Sequence, residues 1–144
     1  MRPSWAPLEA KKITEQALAT THIEYMRTAL SLAQRGLGNT WPNPAVGCII
    51  VKNDRVVGRG WTQHGGRPHA EREALDRAGE CARGADSYVT LEPCGHQGQT
   101  PPCADALINA GVKQVFVAIM DPDDRVSGAG ISKLKAAGIN VTAG

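Results

Sequence analysis

Aromatic side chains are scarce in this chain: three Trp, two Tyr and one Phe, or 4% of 144 residues. That is too few for a row of stacking platforms, which argues against a module that reads single-stranded nucleic acid. Charge of one sign is not in surplus either. A formal net charge of +2 gives no electrostatic footprint for nucleic acid or an anionic membrane. No apolar run approaches the ~20 residues of a membrane-spanning helix. The first twenty residues carry Arg2, Lys11 and Lys12 but no apolar signal core, so secretion is not expected. With 42% apolar and 21% charged residues, the chain reads as one globular domain with a real core.

Cysteine is sparse too, at positions 48, 81, 94 and 103. Number alone permits a disulfide framework. But the chain is not a short secreted scaffold, and two of its cysteines have a better use as metal ligands. The compartment is therefore read as reducing, hence the cytoplasm, with Cys48 and Cys81 left to packing.

Residues 1–20, with Pro3 and Pro7 and no clean periodicity, read as a loose leader or a frayed helix, leaving 21–144 as the folded domain. Thr21-His22-Ile23-Glu24 has the form of a capping box, followed by Ile23, Met26, Leu30, Ala33 and Leu37 at helical spacing. Pro42 and Pro44 force an extended loop around Asn43. Ala45–Val51 and Val56–Trp61 read as an antiparallel hairpin, the second strand broken by Gly58 and Gly60. Strand and helix then alternate: helices over His69–Ala78, Cys103–Ala110 and Ile131–Ala137, strands over Ser87–Leu91, Val115–Met120 and Ile139–Thr142. Such alternation predicts parallel pairing. The expected fold is a three-layer α/β/α sandwich with a five-stranded mixed sheet. His69, Cys94 and Asp121 then follow parallel strands, and Asn43 precedes an antiparallel one. All four fall at the carboxyl edge, where open α/β sheets hold their ligands.

Three short stretches carry the chemistry: His69-Ala70-Glu71, Glu92-Pro93-Cys94 and Thr100-Pro101-Pro102-Cys103. They supply one imidazole, two thiols and a spare carboxylate. Zinc on three protein ligands keeps a position for a water, whose pKa it lowers toward ~7. Positions i and i+2 do not share a helix face, so a ligating His69 leaves Glu71 to handle protons beside the metal. Two blander readings stand beside this one. Cys94 and Cys103 suit buried thiols, and His96 as a fourth ligand would close a purely structural zinc site. Trp61 is open between lining the pocket and packing in the core.

The constellation resembles the cytidine-deaminase-like superfamily. Eight residues separate Cys94 from Cys103, where most branches of the superfamily have a Cys-x-x-Cys pair. This long spacing, Pro42-Asn43-Pro44 before the first strand, and Asp121-Pro122 with Gly128-x-Gly130 after the fourth, resemble the branch of riboflavin-biosynthesis deaminases. The resemblance covers roughly residues 22–144. It implies Zn²⁺ on His69, Cys94 and Cys103 and Glu71 as proton shuttle. It further implies a phosphoribosylaminopyrimidine substrate touched by Asn43, His96 and Asp121. A homo-oligomer is expected, with a reductase domain fused or separate.

Three positions depart from the pattern. The family usually has His where this chain has Thr62, Lys or Arg where it has Gln99, and often Asn where it has Asp123. All three stay on the list of substrate-contact candidates. Without a cation at position 99 the grip on a phosphate is weakened. Arg67 and Arg125 are the candidates to replace it, against a reading of each as a solvated surface charge. Other substrates for the same chemistry are guanine, cytosine or a tRNA adenosine; modest charge and few aromatics disfavour the last. A zinc-stabilised binding module without catalysis is the alternative from another class.

Overall fold

The computed structural model describes residues 8–144. Among them, helices and strands follow in the order α1 (Leu8–Gln34), β1 (Gly47–Lys52), β2 (Arg55–Trp61), α2 (Ala70–Ala78), β3 (Asp86–Leu91), α3 (Cys103–Ala110), β4 (Gln114–Ile119), α4 (Ala129–Ala136) and β5 (Asn140–Ala143). The five strands form one sheet in the order β2-β1-β3-β4-β5. β1 runs antiparallel to both β2 and β3, whereas β3, β4 and β5 are parallel. The mixed sheet expected from the hairpin followed by strand–helix alternation is present. The hairpin turns at Asn53 and Asp54, both at positive φ, as a tight turn matched to strand twist requires.

Alternation of side chains along the strands gives the sheet two apolar faces. One buries Val89, Val115 and Val117 against Ala70 and Ala74 of α2, Leu107 of α3 and Leu134 of α4. The other packs Ile49, Val51 and Tyr88 against Leu32 of α1. The fold is thus α/β/α, with α1 alone as one outer layer. Under it lies most of the chain's aromatic content: Tyr88 stacks with Tyr25 and Phe116, and its hydroxyl is hydrogen-bonded to His22 Nδ1.

Several expectations need correction. Of the leader 1–20, residues 1–7 lie outside the described residues, and from Leu8 onward the chain is helix. There is no cap at Thr21. The helix runs through it, and its hydroxyl donates to Ala17 O one turn back. The inner face of α1 is only partly the one expected from spacing: Ala33 is buried and Met26 packs against the core. Ile23, Leu30 and Leu37 are exposed, while Ala29, Leu32 and Ala33 are buried. The reason is a close backbone approach: a Cβ on Gly47 would lie 1.8 Å from Ala29 O. Small residues meet there, beside the buried Leu32.

β2 is likewise not broken at its glycines. A Cβ on Gly60 would come within 2.5 Å of Ala70 O, so the missing side chain is what seats α2 on the strand. β4 ends one residue early, and its Ile119 is exposed, as is the following Met120. Trp61 joins the α1-side cluster, its ring facing the guanidinium groups of Arg35 and Arg77. Among the described residues no helix is long and apolar enough to cross a membrane.

Candidate active site

The carboxyl ends of β2, β3 and β4 and the amino end of β1 meet at one edge of the sheet, fixed by the pairings Gly47↔Trp61 and Leu91↔Ile119. A cleft of about 170 Å³ opens there. Asn43, Thr62, His69, Glu71, Cys94, His96 and Asp121 line it, with Arg67, Glu92 and Thr100 among the rest. Seven of the ten residues singled out from sequence therefore reach one cavity. Cys103 adjoins it through His69 and Cys94. Gln99 and Asp123 are not in the lining. Asp123 is instead occupied with Arg125, at 2.7 and 3.0 Å.

His69 is the N-cap residue of α2, with extended backbone (φ −69°, ψ 160°). That conformation turns its ring away from the helix and toward the thiols. His69 Nδ1 is 3.3 Å from Cys103 Sγ and 4.0 Å from Cys94 Sγ. The three donor atoms lie within 4.8 Å of one another. A tetrahedral zinc, with bonds of about 2.3 Å to sulfur and about 2.0 Å to nitrogen, needs donors spaced on this scale. Two thiols and an imidazole are also the borderline-soft set that zinc favours. The residues fit the ion. His96 is outside this donor group, so the closed four-ligand alternative is not formed.

Local backbone geometry prepares the thiols. Cys103 is the first residue of α3; its N–H donates to Cys94 Sγ at 3.1 Å, and Ala104 N–H donates to Cys94 O. A sulfur that accepts hydrogen bonds at a helix N-terminus is stabilised as thiolate. Cys94 is accordingly shifted down, first by the hydrogen bond from the Cys103 thiol, then by His69. Cys103 is shifted up as the proton-holding partner. His69 is raised, chiefly by its hydrogen bond with Cys94. Cys48, wholly buried under the sheet, is pushed far up by burial and is inert. All four cysteines are free.

Glu71 lies in the first turn of α2 and is only 4% exposed. Burial pushes its carboxyl up from the ordinary 4.5 to about 7. A carboxyl poised near neutrality can both take and return a proton, which is what general acid–base work needs. Asn43 is pinned by Nδ2 donating to Gly66 O at 2.8 Å and lies 3.5 Å from His69 Nε2. Thr62 is 2% exposed, and its hydroxyl is used twice by the backbone, donating to Pro44 O and accepting from Val46 N–H.

One residue of the site was named in the sequence as part of the Glu92-Pro93-Cys94 stretch but given no role there. Glu92, 6% exposed, accepts four backbone N–H groups: Asp121 and Gly128 at Oε1, Gly130 and Ile131 at Oε2. It ties the end of β3, just ahead of Cys94, to the loop after β4 and the start of α4. The signal was an acid at the end of an apolar strand, which must find donors if buried.

An α/β sheet with a Cys–Cys–His donor set and a buried carboxyl at one edge defines a metal-dependent acid–base centre. The chain belongs to the family of the cytidine and deoxycytidylate deaminase zinc-binding region, whose model matches residues 19–119. It is 57% identical over 120 residues to the riboflavin biosynthesis protein RibD of Escherichia coli, covering 83% of this chain and 33% of that protein. It is 49% identical over 120 residues to the diaminohydroxyphosphoribosylamino-pyrimidine deaminase of Buchnera aphidicola, covering 83% and 82% respectively. Among solved structures, the diaminohydroxyphosphoribosylaminopyrimidine deaminase/5-amino-6-(5-phosphoribosylamino)uracil reductase of Thermotoga maritima superposes with a TM-score of 0.79 at 43% identity, over 87% of this chain and 36% of that one. The chain thus spans about a third of the length of several relatives it matches.

Proposed function

We propose that this chain deaminates diaminohydroxyphosphoribosylaminopyrimidine hydrolytically, exchanging a ring amine for oxygen from water and releasing ammonia. The carrying observation is the buried Glu71 carboxyl, raised to about 7, in one cleft with the His69–Cys94–Cys103 donor set. The choice of pyrimidine rests on the long Cys94–Cys103 spacing and on likeness to the Buchnera deaminase along most of its length.

His69 Nδ1, Cys94 Sγ and Cys103 Sγ would hold zinc, which supplies Lewis-acid activation of water when bound. Glu71 takes the proton from the attacking water, delivers it to the ring nitrogen next to the reacting carbon, and returns a proton to the departing amine. Burial of Glu71 keeps this proton away from bulk water. Asn43, fixed by Gly66 O, presents its remaining amide valences to the ring edge. Asp121 and His96 bind the ring substituents and the sugar from the segments after β4 and β3. Thr62 supports the floor through Pro44 and Val46 and is assigned no substrate contact. Residues 21–144 make up the deaminase domain in this reading, which also places the protein in the cytoplasm, self-associated and acting with a fused or separate reductase.

The test is ammonia release by zinc-loaded protein on a panel of the phosphoribosylaminopyrimidine, guanine, cytosine and cytidine. Turnover of the first above the others is expected. Full activity in Glu71→Gln would sink the mechanism, and preference for another base would sink the substrate assignment.

A further inference from the structure

Among the described residues, Arg67 is the one arginine or lysine lining the cleft. It sits between the 3₁₀ turn His64–Gly66 and the N-cap His69, half-buried. Its Nη1 donates to Thr100 Oγ1 at 3.0 Å. Thr100 belongs to the loop joining Cys94 to Cys103, so this bond spans the mouth of the cleft. Among the described residues no carboxylate pairs with Arg67, whereas Arg125 is closed by Asp123. Arg72, the nearest other arginine on α2, is not in the lining and donates to Pro101 O.

Charge in the cleft is therefore divided. Glu92 and Asp121 belong to its β3–β4 end. Arg67 belongs to the β2–α2 side, and β2 and β4 are separated in the sheet by β1 and β3. Glu71 also lies on the β2–α2 side but is 4% exposed, so an anionic group on a bound molecule is repelled from the first end and finds in the half-buried Arg67 its cationic partner at the mouth. A guanidinium has five N–H donors. The bond to Thr100 uses one and fixes the plane, leaving others for two oxygens of a phosphate in the paired geometry arginine favours. Gly98 is beside it, a Cβ there standing 3.5 Å from Nη2, and His96 lines the same cleft.

We propose that Arg67 is the specificity-determining residue for a phosphate monoester on the substrate, and that Thr100 positions its guanidinium. This deepens the deaminase reading and rests on it for the identity of the phosphate carrier. It locates the grip on the β2–α2 connection and not at Gln99, which does not line the cavity.

The test compares kcat/KM for the phosphoribosylaminopyrimidine and its dephosphorylated riboside in the zinc-loaded chain. Arg67→Gln is expected to lower the preference for the phosphorylated form about 10- to 100-fold, as loss of a charged hydrogen-bonding partner does. Arg67→Lys is expected to restore part of it, and Arg125→Gln to leave the preference unchanged. Thr100→Val is expected to raise KM for the phosphorylated substrate more than it lowers kcat. An unaltered preference in Arg67→Gln overturns the proposal. A second readout does not depend on turnover: calorimetric titration with inorganic phosphate, expected to weaken in Arg67→Gln. If the wild-type chain deaminates neither pyrimidine, the deaminase reading fails and the titration alone decides Arg67. Equal phosphate affinity in wild type and Arg67→Gln, or none in the wild type, then overturns it.

Discussion

The backbone N–H of Asp121 donates to Glu92 Oε1 at 3.1 Å, joining the strand that leads into the metal-binding loop to the strand that ends in a cleft carboxylate. The same carboxylate receives Gly128, Gly130 and Ile131. Glu92 thus does for the carboxyl edge what a helix cap does for one helix: it satisfies donors that would otherwise be buried and unpaired. Glu92→Ala removes the acceptor and leaves those N–H groups stranded. A loss on the order of 3 kcal/mol is expected, read as a lower urea midpoint at constant slope. Glu92→Gln keeps the shape but turns amide hydrogens toward N–H donors, and so is expected to destabilise as well. Wild-type midpoints in both variants would show that the four bonds are replaced by solvent.

Glu71 links stability to function with opposite sign. Its pKa is about 7 in the fold against an ordinary 4.5, so the folded state holds the proton more tightly than the unfolded one. Folding is unpenalised below about 4.5, loses stability as pH rises toward 7, and carries the full penalty above that. In protein stripped of metal, Glu71→Gln is expected to be more stable than wild type at pH 8, by on the order of 3 kcal/mol, and little different at pH 5. In zinc-loaded protein the same change is expected to lower turnover by roughly 10²- to 10⁴-fold with zinc content retained. Thermal unfolding at two pH values and metal analysis check both halves.

Zinc should act as a folding ligand. Its three donors come from the N-cap of α2, the loop after β3 and the start of α3, so binding closes elements distant in sequence. At a free concentration a thousandfold above Kd the expected stabilisation is about 4 kcal/mol, read as a rise in unfolding temperature on adding zinc to stripped protein. His69 is shifted up from 6.5, chiefly by its hydrogen bond with Cys94; protons therefore compete for it at higher pH than for a free imidazole, and the gain is expected to shrink as pH falls. Cys103→Ser is expected to lose most of the response. An undiminished response in that variant would place the ion elsewhere.

Much of this was legible because the chemistry-bearing residues sit where strands stop. His69, Cys94 and Asp121 follow strands that run in one direction, β2 and β3 because both lie antiparallel to β1 and β3 and β4 because they are parallel, and that brings them to one edge. What was not legible depends on approach distances and on side chains reaching far along the sequence. α1 was misread in part because Ala29, together with the expected Ala33, meets Gly47 while Leu30 is exposed, and Leu37 falls beyond the helix. The role of Glu92 spans 29 to 39 positions of sequence, and no local pattern reports that. Asp123 and Gln99 were drawn in by their neighbours in the motifs, yet one is taken by Arg125 and neither lines the cleft.

The close seating of α2 on β2 offers a prediction that joins fold to site. Gly60 faces Ala70 O at a distance where no Cβ fits, and Ala70 lies between His69 and Glu71. Gly60→Ala must push the first turn of α2 off the strand or tilt the strand away, since the obstructing atoms are largely backbone of Ala70 and Ala74. Overpacking of this kind is expected to destabilise by about 1–3 kcal/mol. The displacement falls on the residues flanking Ala70, so zinc affinity and kcat should both fall, beyond what the lost stability explains. Gly65→Ala is the comparison. Gly65 has open space around its Cβ position but a positive φ, so that change strains the backbone without pressing on α2. Its cost should come as lost stability, with zinc affinity near wild type. If Gly60→Ala binds zinc as tightly as Gly65→Ala does, the seating of α2 on β2 does not set the geometry of His69.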